Sequence, residues 1–442
     1  MGCRMPFGGC PPAGALFVSA VVGSLTAMRC PPLIRVRRTF DASRVEDVAE
    51  AVRRELELTV PAIPPAAPIA VAVGSRGIAD IRAIVSETVR FLKSRGAAPF
   101  IVPAMGSHGG ATAEGQRQIL AGYGITEAGV GAPVRSSMEV VRLPGGDPGH
   151  PVFMDRLAWQ SHGVVLVNRV KPHTDYHGFP ESGLMKMAVI GLGKHAQALV
   201  IHARGAHGLR TMIAPAARLI LASGRILAGL AVVENAYEQT CVVRAALPRD
   251  IETVERGLLD EAAARMPRLP VREIDVLVVD EMGKDVSGVG LDTTVIGRMR
   301  VPGQEEPRWP AIKALVVTDL TGASHGNAVG VGLADIVTRR LHRKIDAAAT
   351  MENAVTSTFL ERAKVPLVAE TDRRAVEIAL RCSLPAEGIE PRVIRIRNTL
   401  RLEELHVSRP VLDEMRGIEP VEELGGYRDP FDPSGSLVPF GG

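Results

Sequence analysis

Ile69-Ala70-Val71-Ala72-Val73, followed at once by Gly74-Ser75-Arg76-Gly77, decides how this chain folds. Five small or β-branched apolar residues without alternation read as a strand covered on both faces. The glycine-bounded stretch after it reads as a turn. Ile81, Ile84, Val85 and Leu92 then recur at helical spacing as far as Gly96. A second apolar run, Phe100-Ile101-Val102, ends in Gly106-Ser107-His108-Gly109-Gly110. Strand, helix and strand with short connections form a βαβ unit, so the two strands are expected to be parallel. A third run, Val164-Val165-Leu166-Val167, ends in Asn168-Arg169-Val170-Lys171-Pro172-His173. In open α/β sheets ligands bind beyond the carboxyl ends of the strands. Arg76, His108, Lys171 and His173 are therefore expected at one edge.

Working outward, residues 45–56 read as an amphipathic helix, and a further helix is expected from about Ala113. Residues 260–266 look helical, and Pro267 and Pro270 punctuate the chain. Beyond them, runs at 274–279, 313–317 and Leu367–Ala369 read as strands, and 332–341 as a helix. The expected fold is α/β: two α/β domains with mainly parallel sheets and an active site in the cleft between them. The expected division is an extension over 1–30, a cofactor-binding and catalytic domain over 31–268, a closing C-terminal domain over 269–418, and a tail over 419–442. Residues 13–28 are apolar and rich in small residues, with only Arg4 ahead of them. They read as a disordered extension or an over-called start, with a signal peptide as the alternative.

Composition excludes several classes. Hydrophobic residues make up 46% and charged ones 23%, an ordinary globular balance, and the net charge is only +3. That leaves no electrostatic footprint for nucleic acid or an anionic membrane. Five cysteines without a CxxC pair point to a reduced, cytoplasmic setting. No GxGxxG opens a helix with an acidic residue about 20 positions on, which argues against NAD.

Scarce residue types are clustered instead. Seven of eleven histidines (150, 162, 173, 177, 195, 202 and 207) fall within 58 residues, together with Lys171, Lys186 and Lys194. The stretch Lys171-Pro-His-Thr-Asp-Tyr-His177-Gly-Phe-Pro180 is a loop, because its prolines disfavour a helix. Lys186 sits among Leu184, Met185, Met187, Ala188 and Val189, so its amine is either snorkelling or functional. His202 follows sixteen residues later. On one straight helix that step rotates the pair apart by about 160°. A shared site therefore requires a turn between them, which Gly191 and Gly193 permit. Glycines around His108 could also let backbone amides face an anion at a helix N-terminus. Two alternatives stand beside an enzyme built on this cluster: a zinc-type hydrolase using His173, His177 and Asp175 or Glu181, and a non-enzymatic nickel carrier.

The order and spacing of these residues, over most of 65–300, resemble the nickel-dependent lactate racemases. The resemblance implies a nickel-pincer nucleotide, a pyridinium ring with thiocarbonyl arms gripping nickel, attached covalently at Lys186. It implies His108 and His173 as the catalytic pair, His202 as the nickel ligand, and Ser75, Gly106 and Ser107 as cofactor contacts. Arg76 falls on the family's carboxylate-binding arginine, and Lys284 and Arg298 would reach the substrate from the second domain. The reaction implied is racemisation or epimerisation of a 2-hydroxy acid by reversible hydride transfer, with cofactor-synthesis proteins as partners. There are departures: the Pro-His loop is slightly longer, Val73 replaces an acidic residue, and Gly297 and Arg298 stand where the family has Gln and Lys. A planar fork in place of an ammonium, with extra space beside it, suggests a larger or more polar acid than lactate.

Overall fold

The computed structural model describes residues 28–75, 77–147, 149–383 and 388–441. Among these residues fifteen strands follow in chain order. They are β1 (Ile34–Arg38), β2 (Pro68–Val73), β3 (Ala98–Pro103), β4 (Val140–Arg142) and β5 (Phe153–Asp155). Next come β6 (Gly163–Arg169), β7 (Ile226–Glu234), β8 (Thr240–Ala246), β9 (Glu273–Met282) and β10 (Ala311–Leu320). The last are β11 (Ile336–Thr338), β12 (Leu367–Ala369), β13 (Val393–Ile396), β14 (Glu404–Val407) and β15 (Val421–Glu423).

One five-stranded sheet has the order β3-β2-β6-β7-β8, and an eight-stranded sheet runs β12-β11-β10-β9-β13-β14-β1-β15. In the first, β3, β2, β6 and β7 are parallel and β8 closes the edge antiparallel. In the second, β12, β11, β10, β9 and β13 are parallel, while β14, β1 and β15 alternate in direction. The α/β class with mainly parallel sheets is thus the observed one.

Apolar runs become central strands because both faces are covered. Ile69, Val71 and Val73 pack on one side of the first sheet, and Ala70 and Ala72 on the other, all fully buried. The helix Ile81–Ser94 covers the former face through Ile84, Val85 and Leu92. The first helix begins at Val48, three residues later than its apolar pattern, because the Asp47 side chain accepts the Glu50 N–H and caps it. Residues 332–341, read as one helix, contain the strand β11. Its β-branched Ile336, Val337 and Thr338 fill a slot between β10 and β12.

Both chain-end expectations need correction. Residues 34–38, assigned to the first domain, form β1 in the second sheet, where Ile34 and Val36 face its core. Arg35 and Arg37 both pair with Glu404 across the strand junction, at 2.7 and 2.8 Å. The stretch from 419, read as a loose tail, contributes β15 and the buried Phe431, and Phe440 stacks on His406. The apolar segment before Met28 lies outside the described residues. Among those described, no single helix is long and apolar enough to cross a membrane.

Candidate active site

Because β2, β3 and β6 are parallel, the loops leaving them emerge at one edge. Ser75 follows β2, Ser107 and His108 follow β3, and Lys171 and His173 follow β6. The Ser75 hydroxyl meets Nδ1 of His108, and the Tyr123 hydroxyl donates to the Ser75 carbonyl at 2.7 Å. Arg76 lies outside the described residues. Of the glycines after His108, Gly109 has a packing role: its φ is +66°, and a Cβ there would stand 2.5 Å from the Gly115 backbone, whereas Gly110 at φ +64° faces open space. The helix behind them is capped by Thr112, whose hydroxyl accepts the Gly115 N–H at 3.0 Å.

The turn required between Lys186 and His202 is present. Helical segments Leu184–Gly191 and Lys194–His202 meet at 103°. A Cβ on Gly191 would stand 2.7 Å from the Ala104 carbonyl, so only glycine lets the bend press against the end of β3. Lys186 and His202 then face one cavity of about 520 Å³, which Ser75, Ser107, His108 and His173 also line. Gly106 stands behind it. Its φ of +61° and a would-be Cβ 3.0 Å from Ile190 make it a packing residue rather than a cavity contact.

His173 is held from several sides. Its backbone N–H donates to Glu181 at 2.6 Å, the Asp175 N–H donates to its Nδ1 at 2.9 Å, and its Nε2 meets the Lys186 amine. The imidazole lies on the buried Tyr176 ring at 4.6 Å between centroids. Burial favours the neutral form of Asp175, but the charges of His173 and Arg362 outweigh it and hold the carboxyl down to about 2. Burial, reinforced by Lys186, pushes the His202 imidazole below its ordinary range and so favours the neutral ring that can donate to a metal. Glu255 caps the Lys186 helix from beneath, accepting the Met185 N–H at 3.0 Å, and burial raises its carboxyl to about 7.

The second unit closes the cavity. Lys284 lines it while donating to the Gly288 carbonyl at 2.8 Å. Arg362, which the sequence reading did not single out, is almost completely buried and reaches across to the His173 loop. Its guanidinium pairs with Asp175 and donates to the Thr174 carbonyl at 3.0 Å and the Met299 carbonyl at 2.9 Å. Thr293 and Gln304 add hydrogen bonds to the Thr174 and Asp175 carbonyls at 2.7 and 2.8 Å.

Arg298 does not line this cavity. It donates to Asp335 at 2.6 Å and to the Ile312 and Leu333 carbonyls at 2.7 and 3.2 Å. Gly297 opens no space either: it ends a short helix at φ +62°, and a Cβ would stand 2.2 Å from the Pro310 carbonyl. His177 faces a different cavity, behind the loop, and pairs with Glu181 at 3.7 Å. A zinc hydrolase draws three ligands from the protein. Among the described residues no group of three or more His, Cys, Asp or Glu is placed to hold a metal ion. Among the described residues, His202 therefore has no two further such side chains placed to hold a metal with it.

No family model and no curated protein sequence matches the chain. Among solved structures, the lactate racemase apoprotein from Thermoanaerobacterium thermosaccharolyticum is similar at 12% identity and a TM-score of 0.47, covering 83% of this chain and 98% of that one. A likeness that loose carries no weight for activity, substrate or cofactor.

Proposed function

We propose that this chain is a racemase or epimerase of a 2-hydroxy acid, working with a nickel-pincer nucleotide. One observation carries the reading: His108, His173, Lys186 and His202, drawn from two strand-end loops and a helix bent by 103°, line the same cavity. The donor set suits the group. Lys186 would offer an amine for a covalent link, and His202 would offer a neutral imidazole to the nickel. When bound, such a group supplies an electrophilic carbon that takes a hydride from the substrate and returns it.

The chain's own residues do the rest. Proton exchange at the substrate hydroxyl falls to His108 and His173, one for each face of the planar 2-keto form. Ser75 orients the first imidazole, and the Asp175 N–H on Nδ1 turns Nε2 of the second toward the cleft. Arg76 is assigned the substrate carboxylate, where a bidentate pair would fix the reacting carbon. Lys284 approaches from the second unit, and the Arg362 clamp keeps that unit seated over the cavity.

Two measurements test this. Protein made in a host that synthesises the cofactor should gain mass, with peptide mapping placing the adduct on Lys186. The same protein should erode the optical purity of one or more single-enantiomer 2-hydroxy acids. An adduct elsewhere, or a loaded protein inert across a broad panel, overturns the reading.

A further inference from the structure

Lys194 is fully buried at the helix bend, eight residues after Lys186 and eight before His202. Its backbone adopts φ of 56°, the left-handed region that few non-glycine residues occupy. Its ammonium donates to the Pro103 carbonyl at the end of β3 and to Oε1 of the buried Gln116 at 3.2 Å, and stands 3.2 Å from the buried Asp155 carboxylate. Nε2 of Gln116 in turn donates to the Gly106 and His108 carbonyls at 2.8 and 3.2 Å. Asp155 is tied to the same bend, its N–H donating to the Leu192 carbonyl at 2.7 Å.

Burial works against this pair. It lowers the Lys194 pKa and raises that of Asp155, with their mutual attraction opposing both shifts. Buried ion pairs are often no more stabilising than apolar residues of the same shape. Stability alone therefore gives little reason for an ammonium at this position, whereas geometry does. It joins the end of β3, the His108 loop and the bend.

We propose that Lys194 is a positioning residue: its buried ammonium, acting through Gln116, fixes the His108 loop against the bent helix that carries Lys186 and His202. The inference rests on the roles proposed above for those three residues, but its main readout does not need them to be right.

Lys194→Met alone leaves Asp155 buried without its counter-charge and is expected to unfold readily. The informative variant is Lys194→Met/Asp155→Asn, which removes both charges and keeps an acceptor for the Ala158 N–H that Asp155 caps. In the cofactor-free protein this variant should melt near the wild type. Its His108 imidazole NMR resonance should shift and broaden, and its Gly106 amide should exchange faster, while His325 and His342 in the second unit stay unchanged. In loaded enzyme, turnover should fall about 100-fold with little change in KM, the cost of a displacement near 1 Å. If the double variant fails to fold, Gln116→Met severs the same tether without touching a charge and should give the same signature. A wild-type His108 resonance and Gly106 exchange in the folded variant would mean that Lys194 only balances Asp155, and would overturn the proposal. Failure of the racemase reading would instead appear as inert wild-type protein with the NMR differences intact.

Discussion

The two sheets contribute unequally to the cavity. The five-stranded unit supplies the reactive side chains, on two strand-end loops and one bent helix. The eight-stranded unit supplies mainly restraint: Arg362, Thr293 and Gln304 hold the His173 loop by its carbonyls and by Asp175. Chemistry concentrated in one unit and alignment imposed by the other makes the two separable by mutation.

The largest effect should come from the first unit. His108→Ala or His173→Ala removes a proton-transfer group and should lower turnover of loaded protein by about 10²- to 10⁴-fold with the melting temperature nearly unchanged. Equal activity in either variant would break the assignment of chemistry to that unit. Arg362→Met comes next. It leaves the partly buried Asp175 carboxylate and the Thr174 and Met299 carbonyls without their donor, which should cost about 3 kcal/mol in denaturant unfolding. Turnover should fall as well, because the His173 loop loses its clamp. A variant as stable as wild type would show that the two units are not aligned through this pair.

A third change asks whether the first unit also carries a stability burden. Glu255 binds its proton more tightly in the folded protein, at about 7, than its ordinary 4.5. The stabilisation from protonation is thus complete below about pH 4.5 and is lost as pH rises through about 7, a change of ~3 kcal/mol. Glu255→Gln, which cannot ionise, should flatten the dependence of unfolding free energy on pH across that window. An unaltered profile would assign the titration elsewhere. The smallest effect is expected at Arg298. Arg298→Ala should cost about 2 kcal/mol of stability through lost charged hydrogen bonds, yet leave kcat/KM per folded molecule alone. A selective loss of activity toward one acid would restore Arg298 to the substrate site.

The same division explains what the sequence made legible. Parallel strands of the first sheet announce themselves as unbroken apolar runs stopped by glycine, because a strand covered on both faces has no polar side to hide. His and Lys are scarce here, so their crowding into one segment is visible before any fold is known. Arg362 has no such signal. It is one of many arginines, in a short turn of ordinary composition, and its importance comes from contact with Asp175, 187 residues away. Gly297-Arg298 misled for a related reason. A glycine beside a guanidinium reads as space beside a charge, whereas here the glycine terminates a helix and the guanidinium serves carbonyls of its own unit. Strand β1 was misplaced because Ile34-Arg-Val-Arg-Arg38 alternates in a way compatible with either sheet, and its partner lies at the far end of the chain.

That long-range pairing governs the order in which the molecule can be built on the ribosome. Every strand of the five-stranded sheet lies between residues 68 and 246, so that sheet can close while the remainder is still being translated. Strand β1, synthesised before all of it, pairs with β14 and β15, at 404–407 and 421–423. Until those residues emerge, Ile34 and Val36 have no sheet to bury them, and the nascent chain carries an unpaired strand through most of its synthesis.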